Sequence, residues 1–503
     1  MKHAVIIGSG VAGLASAIRL RLLGFEVSVF EKNSFPGGKL SDFKLGEYHF
    51  DRGPSLFTQP ENVLELFRLA GKNPQDYIQI EKLKEANRYF FEDGTVVHGY
   101  TDVQKFDAEL VTKLNEPKGS ATKYLSEAAR LYQHVGLIFL DYPLHRLKTW
   151  LHKRILKALS VVKGKHLIST VDQVNKQSFT SSKTQQIFNR FATYNGSNPY
   201  VAPAMLTMIP HLEHNEGAFY PKGGMISITK ALFSLAKDVG VHFFFNETVQ
   251  EIIKVTDTVT GVQTDQRNVS ADVVVSNMDV YFTYQKLLND NNTAFEISKQ
   301  ERSTSAIIFY WGIKKTFPEL DLHSIFFSEN YQQEFDELFV KKVLPDDPTI
   351  YINITAKKDK DHAPANAENW FVMINAPASQ IINWEEAVQL AKTRVIEKLS
   401  RMIKTDIAAL IDQEYIWHPG CIERDTASFL GSLYGSSSND RMAAFFRHTN
   451  ESKQYKNLFF AGGTVHPGGG IPLCLKSARM VELLVKEQFG DSVVNHTTVQ
   501  ELR

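Results

Sequence analysis

Cysteine is almost missing from this chain: of 503 residues only Cys421 and Cys474 are cysteines, far apart and outside any CxxC pair. That excludes a disulfide framework and a cysteine-built zinc site, and no metal is expected. Net charge is missing as well, since Lys plus Arg and Asp plus Glu both number 56. No global field therefore gathers phosphates or nucleic acid, and no nucleic-acid partner is expected. No stretch approaches the ~20 mostly apolar residues of a bilayer-crossing helix. The first residues run through AVIIG into a glycine turn, without the longer apolar core and small-residue cleavage site of an export signal. An intracellular, reducing setting is the expectation. Internal repeats and low-complexity linkers are also absent, which argues for interleaved substructures sharing a large core.

What the chain does carry is glycine at chosen places. Residues 5 to 41 read VIIGSGVAGLASAIRLRLLGFEVSVFEKNSFPGGKLS. A short apolar run at 3 to 7, helically spaced apolar residues from Leu14 to Leu23 and a β-branched run at 26 to 30 predict a β-α-β unit. Gly8, Gly10 and Gly13 stand at its first turn in the order G-x-G-x-x-G. They allow a tight turn, close approach of a pyrophosphate, and packing of helix on strand, with the helix amino terminus facing the phosphates. Glu31 follows 18 residues after Gly13, where a carboxylate accepts the hydroxyls of an adenosine ribose and repels a 2′-phosphate. The residues alone thus favour FAD or NAD over NADP.

Beyond the unit, residues 33 to 57 are too rich in Gly, Pro and Ser for regular elements and predict loops with a short hairpin. Residues 105 to 190 have a helical pattern. Strand patterns return at 241 to 245, 249 to 255 and 271 to 277, and others at 305 to 313, 349 to 355 and 370 to 376, followed by a helix near 384 to 402. The chain then closes with a buried strand in NLFFAGG at 457 to 463, a PGGGIP turn and an amphipathic helix.

Residues 5 to 41 resemble the extended flavoprotein pattern of the amine oxidase and carotenoid desaturase superfamily, in which a second glycine pair follows the ribose-binding acid. The resemblance selects FAD and gives Gly37 and Gly38, with Lys39 and Leu40, the task of passing the backbone close to the flavin. Other stretches are similar to bacterial carotenoid desaturases of the phytoene desaturase type: FDRGPSLFT at 50 to 58, FATYNGSNPYVAPAML at 191 to 206, FYPKGGM at 219 to 225, SADVVVSNMD at 270 to 279 and LFFAGGTVHPGGGIPLCLKSA at 458 to 478. By that likeness Ala12 and Lys32 join the cofactor set, Gly53, Pro54 and Ser55 approach the flavin, and Val249 flanks the adenine. Gly462, Gly463, Gly470, Ile471 and Pro472 close over the ribitol and ring. Gly468, Gly469 and Gly470 suit positive φ beside a flat ring.

The resemblance implies an α/β fold: a Rossmann-like FAD-binding domain (1–75, 215–285, 450–490) interleaved with a mixed-sheet substrate domain (76–104, 286–449) and a helical, membrane-facing insertion (105–214). PGGKLS, GPSLFT and TVHPGGGIPL look most like enzymes that place a C3–C4 double bond in a carotenoid with a hydroxylated end, by hydride transfer to flavin N5 and proton loss. Phytoene or dehydrosqualene desaturases are the alternative, followed by an isomerase or oxidase on the same scaffold, without net desaturation or acting on amines, and a non-catalytic prenyl-lipid carrier of the GDP-dissociation-inhibitor type. His145, Arg146, Glu423, Asp425 and His466 fall in or near the family-like segments and are the candidate proton acceptors. Arg52 stands where a small residue is expected; it either faces the flavin or, as the favoured reading, points outward as a neutral change.

Residues 135 to 168 lack acids after Asp141 while Arg146, Lys148, Lys153, Arg154, Lys157, Lys163 and Lys165 accumulate beside Leu147, Trp150, Leu151, Ile155 and Leu159. This basic amphipathic pattern suits anionic lipid headgroups as well as a helix packed on the protein's own core. The expected setting is cytoplasmic, peripheral to the inner face of the cell membrane, with a carotenoid substrate and a quinone or oxygen as final electron acceptor.

Overall fold

The computed structural model describes residues 1–143, 145–146, 161–379, 383–440 and 447–490. The expected β-α-β unit is present as strand His3–Ile7, helix Val11–Leu22 and strand Glu26–Glu31. It forms the centre of a five-stranded sheet whose order is Leu458–Phe460, Val273–Ser276, His3–Ile7, Glu26–Glu31, His242–Phe245. Every neighbouring pair is parallel. Parallel strands need cover on both faces, and the sequence provides it: Ala4, Ile6, Val27, Val29, Val273 and Val275 are buried on one side against helices Val11–Leu22 and Ile471–Phe489. The small residues Ala12, Ala15 and Ala17 bring those elements close, while Leu475, Val481 and Leu484 close the layer. The opposite face carries Val5, Ile7, Phe30, Val274 and Phe460.

The strand predicted at 249 to 255 forms as Val249–Val255 but does not join the parallel sheet. It pairs antiparallel with Thr258–Thr264, which pairs with Asn268–Ser270 in a separate three-stranded sheet. The TVTGVQT alternation between two turns is the signal for that extra strand. The loop-rich stretch after Glu31 contains the expected hairpin, Ser41–Leu45 with Tyr48–Arg52.

A seven-stranded mixed sheet has the order Ile411–Trp417, Ser305–Ile313, Glu368–Ala376, Ile350–Asn353, His323–Phe326, Glu85–Phe90, Val96–Tyr100. Ser305–Ile313 is buried at every position because its neighbours pair on both edges and helix Trp384–Ile403 shares its core. Full burial of such Ile, Phe and Trp side chains contributes roughly 1.5–3 kcal/mol each.

Helices Val103–Leu114, Ser120–Leu131, Val171–Ser178 and Ser182–Asn189 occupy the region predicted as helical. Asp102 caps the first, and Thr170 with Gln173 forms a capping box on the third. Leu147, Lys148, Trp150, Leu151, Lys153, Arg154, Ile155, Lys157 and Leu159 lie outside the described residues, as does the side chain of Lys165. Among the described residues no helix is long and apolar enough to cross a membrane.

Candidate functional site

Because all five strands of the first sheet run parallel, their carboxyl ends share one edge. Gly8 to Gly13, Glu31, Asn277 and Gly462 all follow strands at that edge, where open α/β sheets bind ligands. Gly10 begins helix Val11–Leu22 without a side-chain cap, so its first N–H donors stay available to an anion. A Cβ at Gly13 would collide with the Gly8 carbonyl, and one at Gly10 would lie 2.6 Å from Asn277 Oδ1. Without side chains, these two glycines let the turn, the helix and Asn277 pack closely.

Glu31 is buried and accepts four hydrogen bonds: from Ser9 N at 2.9 Å, Ser9 Oγ at 2.8 Å, Asn33 N at 3.0 Å and Asn33 Nδ2 at 2.8 Å. The carboxylate is therefore held in one orientation next to the glycine turn. Lys32 is exposed. The backbone N–H of Glu247 donates to the Glu31 carbonyl, which brings the start of the Val249 strand to the same corner.

The second glycine pair packs on the first. Gly37 N donates to Ser9 O at 2.9 Å, Gly10 and Gly37 form a parallel bridge, and a Cβ at Gly38 would lie 3.4 Å from Gly10 Cα. Gly37 has φ +118, and Leu40 O accepts from Thr229 Oγ1 at 2.9 Å. The Gly53–Pro54–Ser55 turn lies directly behind Lys39, since a Cβ at Gly53 would collide with the Lys39 carbonyl. At the other end of the chain, Gly462 N donates to Ser477 Oγ at 2.9 Å. Asn277 ties the two ends together, donating from Nδ2 to Ala461 O at 2.7 Å while its Oδ1 faces Gly10. Gly468 and Gly470 have φ of +138 and +104, whereas Gly469 is pressed against Tyr434. Gly470, followed by Ile471 and Pro472, caps helix Ile471–Phe489, and nothing lies within 4 Å of its Cβ position.

Lys39 and Arg302 lie near the carboxylate of Asp279, and Arg447 lies near Arg302. Among the described residues, Lys39 Nζ donates to the carbonyls of Ser432 and Leu433, both at 3.3 Å. Burial lowers its pKa; Asp279 and Cys474 oppose that shift and Arg302 adds to it. Arg302 is buried and reaches Asp279 Oδ2 at 3.9 Å, and among the described residues its Nε and Nη2 have no hydrogen-bond partner. Arg447 donates to the carbonyls of Tyr434, Gly463 and Ser436, and burial followed by Arg302 lowers its pKa to about 10. Buried unpaired cations are costly, so this end of the site is suited to an anion or an electron-rich ring.

The expected FAD fits these residues: a glycine turn with free helix N–H groups for the pyrophosphate, a fixed carboxylate for the ribose, and open backbone with surplus positive charge at the far end. Sequence reading missed Asn277, Arg302, Arg447 and Tyr434. Only Asn277 carried a signal, its place directly after a strand at the carboxyl edge.

The five proton-acceptor candidates do not converge. His145 Nε2 lies 3.1 Å and Arg146 Nη2 2.7 Å from Glu451, whose pKa they lower. His466 Nε2 meets the Tyr142 carbonyl at 3.0 Å, and burial lowers its pKa to about 4. These three join the helical region to the late glycine segment. Asp425 accepts from Trp417 Nε1 at 3.0 Å and Arg424 Nε at 2.9 Å. Glu423, on the same helix Pro419–Thr426, is half-buried, and burial raises its pKa.

Arg52 corrects the sequence reading, because it points neither outward nor to the cofactor edge. Its guanidinium lies 4.5 Å from the Trp417 ring, with Phe43 and Tyr415 beside it, and donates to Tyr415 OH at 2.9 Å and Asp425 Oδ2 at 3.5 Å. The cage of an amine oxidase surrounds a substrate nitrogen; this aromatic group surrounds the chain's own cation.

Residues 11–347 match the family described as flavin-containing amine oxidoreductase. The chain is 48% identical over 485 residues to the 1-hydroxycarotenoid 3,4-desaturase of Flavobacterium sp. (strain P99-3), covering 96% of this chain and 99% of that one. It is 33% identical to the 4,4'-diaponeurosporene oxygenase of Staphylococcus haemolyticus (strain JCSC1435), covering 95% and 96%. Among solved structures, putrescine oxidase bound to putrescine shares the fold with a TM-score of 0.63, at 13% identity and coverage of 97% and 99%.

Proposed function

We propose a carotenoid 3,4-desaturase, on the premise that the chain belongs to the flavin-containing amine oxidoreductase family and, within it, to the carotenoid desaturases. It is an FAD-dependent oxidoreductase with the flavoprotein fold of that family. The observation that carries the finer reading is the 48% identity, across 96% of the chain, to an enzyme named for this reaction on hydroxylated carotenoids.

FAD, when bound, supplies the acceptor for a hydride from the carotenoid carbon next to the polyene. The chain's own residues supply the seat. Gly8, Gly10 and Gly13 with the helix that follows hold the pyrophosphate, Glu31 holds the ribose, and Val249 flanks the adenine. Gly37 to Leu40, Gly53 to Ser55 and the Gly462–Gly463 and Gly470–Pro472 segments line the flavin end. Lys39, Arg302 and Arg447 lower the energy of negative charge there. The reaction asks little of acids and bases, but requires exclusion of water and exact placement of a long apolar substrate. Tyr351, which packs on Phe371, and Tyr434 are both partly accessible, which supports such a channel.

The division into a cofactor part (1–75, 215–285, 450–490), a substrate part (76–104, 286–449) and a helical insertion (105–214) is supported by the way strands from distant stretches join one sheet or the other. The substrate comes from a membrane, and the inner leaflet is the proposed place of contact. Leu167 and Ile168, beside Lys163, are 57% and 67% exposed, which supports a docking edge there. A quinone or oxygen is the proposed final acceptor.

Incubation of FAD-loaded protein with phytoene, a 1-hydroxycarotenoid and its non-hydroxylated counterpart tests the reading. The expected product gains one double bond from the hydroxylated substrate. Conversion of phytoene alone, or insertion of oxygen without desaturation, would overturn it.

A further inference from the structure

A chain of polar groups joins Ser55, in the turn behind Lys39, to Tyr351 and His323 of the seven-stranded sheet. Ser55 Oγ lies 2.8 Å from the Tyr351 hydroxyl, which lies 2.8 Å from His323 Nδ1. Strand pairing holds the last two in place, with His323 opposite Asn353 and Ile325 opposite Tyr351. Asn353 Nδ2 donates to the Leu322 carbonyl at 3.0 Å, which fixes the orientation of its amide, and also points at His323 Nδ1 from 3.2 Å.

These contacts set the direction of every proton. An amide nitrogen only donates, so His323 Nδ1 is the unprotonated nitrogen. Burial keeps the ring neutral, with a pKa lowered to about 3, and keeps Tyr351 protonated by raising its pKa. The Tyr351 hydroxyl therefore donates to Nδ1 as the shorter of two contacts there, and Ser55 donates to the phenol oxygen. With its proton committed, Ser55 Oγ presents only acceptor lone pairs. Among the described residues, buried His323 Nε2 has no hydrogen-bond partner.

The position of Ser55 adds the second half. Its turn lies directly behind Lys39, which follows the glycine pair that packs on the cofactor turn. In a carotenoid hydroxylated at C1, the oxygen is three bonds from C3 and four from C4, at most about 5 Å away. Whatever reads that hydroxyl must stand beside the bond being oxidised.

We propose that Ser55, oriented by Tyr351 and His323, is the residue that reads the tertiary hydroxyl of the substrate, accepting a hydrogen bond from it. Ser55 is a specificity determinant, and Tyr351 and His323 are positioning residues. The assignment rests on the 3,4-desaturase reading. A hydrocarbon end group would leave Ser55 Oγ desolvated and unpaired, a loss of about 1–3 kcal/mol, or roughly 5- to 150-fold in affinity.

The test uses the FAD-loaded full chain with its flavin chemically reduced and oxygen excluded, so that no turnover occurs. Dissociation constants for a 1-hydroxycarotenoid and its deoxy counterpart are read from the shift of the polyene absorption. Wild-type protein should prefer the hydroxylated form by about 5-fold or more. Ser55→Ala and Tyr351→Phe should each bring the ratio close to one, chiefly by weakening binding of the hydroxylated form, at flavin contents matched by absorbance. Tyr351→Phe leaves the Gly53–Ser55 backbone untouched and carries the test if Ser55→Ala loses flavin. An unchanged ratio in Tyr351→Phe, or one that collapses only in Tyr434→Phe, overturns the assignment. A wild-type protein that binds both carotenoids equally overturns it as well, whereas failure of the oxidised enzyme to desaturate the hydroxylated substrate removes the function reading itself.

Discussion

The cofactor edge and the space between the sheets solve opposite problems. At the edge the working groups are backbone N–H donors, and side chains must be absent: Gly13 would strike the Gly8 carbonyl if it carried a Cβ, and Gly38 sits 3.4 Å from Gly10. Between the sheets the working groups are side chains gathered from far apart in sequence, such as Ser55, His323 and Tyr351, or Lys39, Arg302 and Arg447. Where the backbone does the binding, glycine spacing marks the place. Where side chains do it, only the folded sheets bring them together.

The sharpest way to break this contrast is to put a side chain where the first region excludes one. Gly13→Val should abolish flavin binding, a loss of more than about 100-fold, because the helix must move off the sheet. Flavin absorbance of the purified protein after desalting measures it. Gly10→Ala faces Asn277 Oδ1 and should weaken binding in the same direction.

Glu31→Gln probes the one side chain the edge depends on. Loss of a charge-assisted contact is worth about 1.5–3 kcal/mol, so flavin affinity should fall roughly 10- to 150-fold by titration of apo-protein. Unaltered flavin content and full conversion in both Gly10→Ala and Glu31→Gln would refute the cofactor seat.

A pH series compares the two regions in one experiment. His323 between the sheets, and His448 and His466 by the cofactor segment, have folded pKa values lowered by burial to about 3, 4 and 4. The stability they contribute is complete above the ordinary histidine value of about 6.5 and is lost as pH falls toward 4. Asp51, which accepts from Met225 N and Ile226 N, runs the other way: burial raises its pKa to about 6, and its contribution grows as pH falls from there. His214, His362 and His418 are also lowered and act with the first group. The lowered histidines outnumber the carboxyls that burial raises, Asp51, Glu334 and Glu423, so stability should drop as pH falls from 6 to 4. Denaturant midpoints across that range check it, and a flat profile would contradict the burial of these rings.

Arg52→Met gives the smallest effect. Its cation sits in an aromatic cage away from the cofactor edge, so a loss of about 1–2 kcal/mol in stability is expected, with flavin content unchanged. A large change in flavin content would return Arg52 to the cofactor.

The same contrast explains what the sequence disclosed. The β-α-β unit, the long strand Ser305–Ile313 and the helix near 384 to 402 were legible, because apolar periodicity and glycine turns are local properties. Val249–Val255 was legible as a strand, but its sheet was not, since an antiparallel partner forms through tertiary pairing. Arg52 was misread because the Trp417 and Tyr415 rings that hold it lie more than 360 residues away. Asp425 and His466 drew notice as ionisable groups in family-like segments, while their hydrogen-bond partners, Trp417 and the Tyr142 carbonyl, are set by the fold.

The most direct test of the central claim is a single anaerobic mixing of FAD-loaded protein with a 1-hydroxycarotenoid, recorded as a full spectrum over time. The oxidised flavin band should bleach while the polyene absorption moves to longer wavelength, one double bond gained for each flavin reduced. Flavin that stays oxidised as the polyene lengthens, or bleaches with the polyene unchanged, would contradict a desaturase that passes its substrate's electrons to this cofactor.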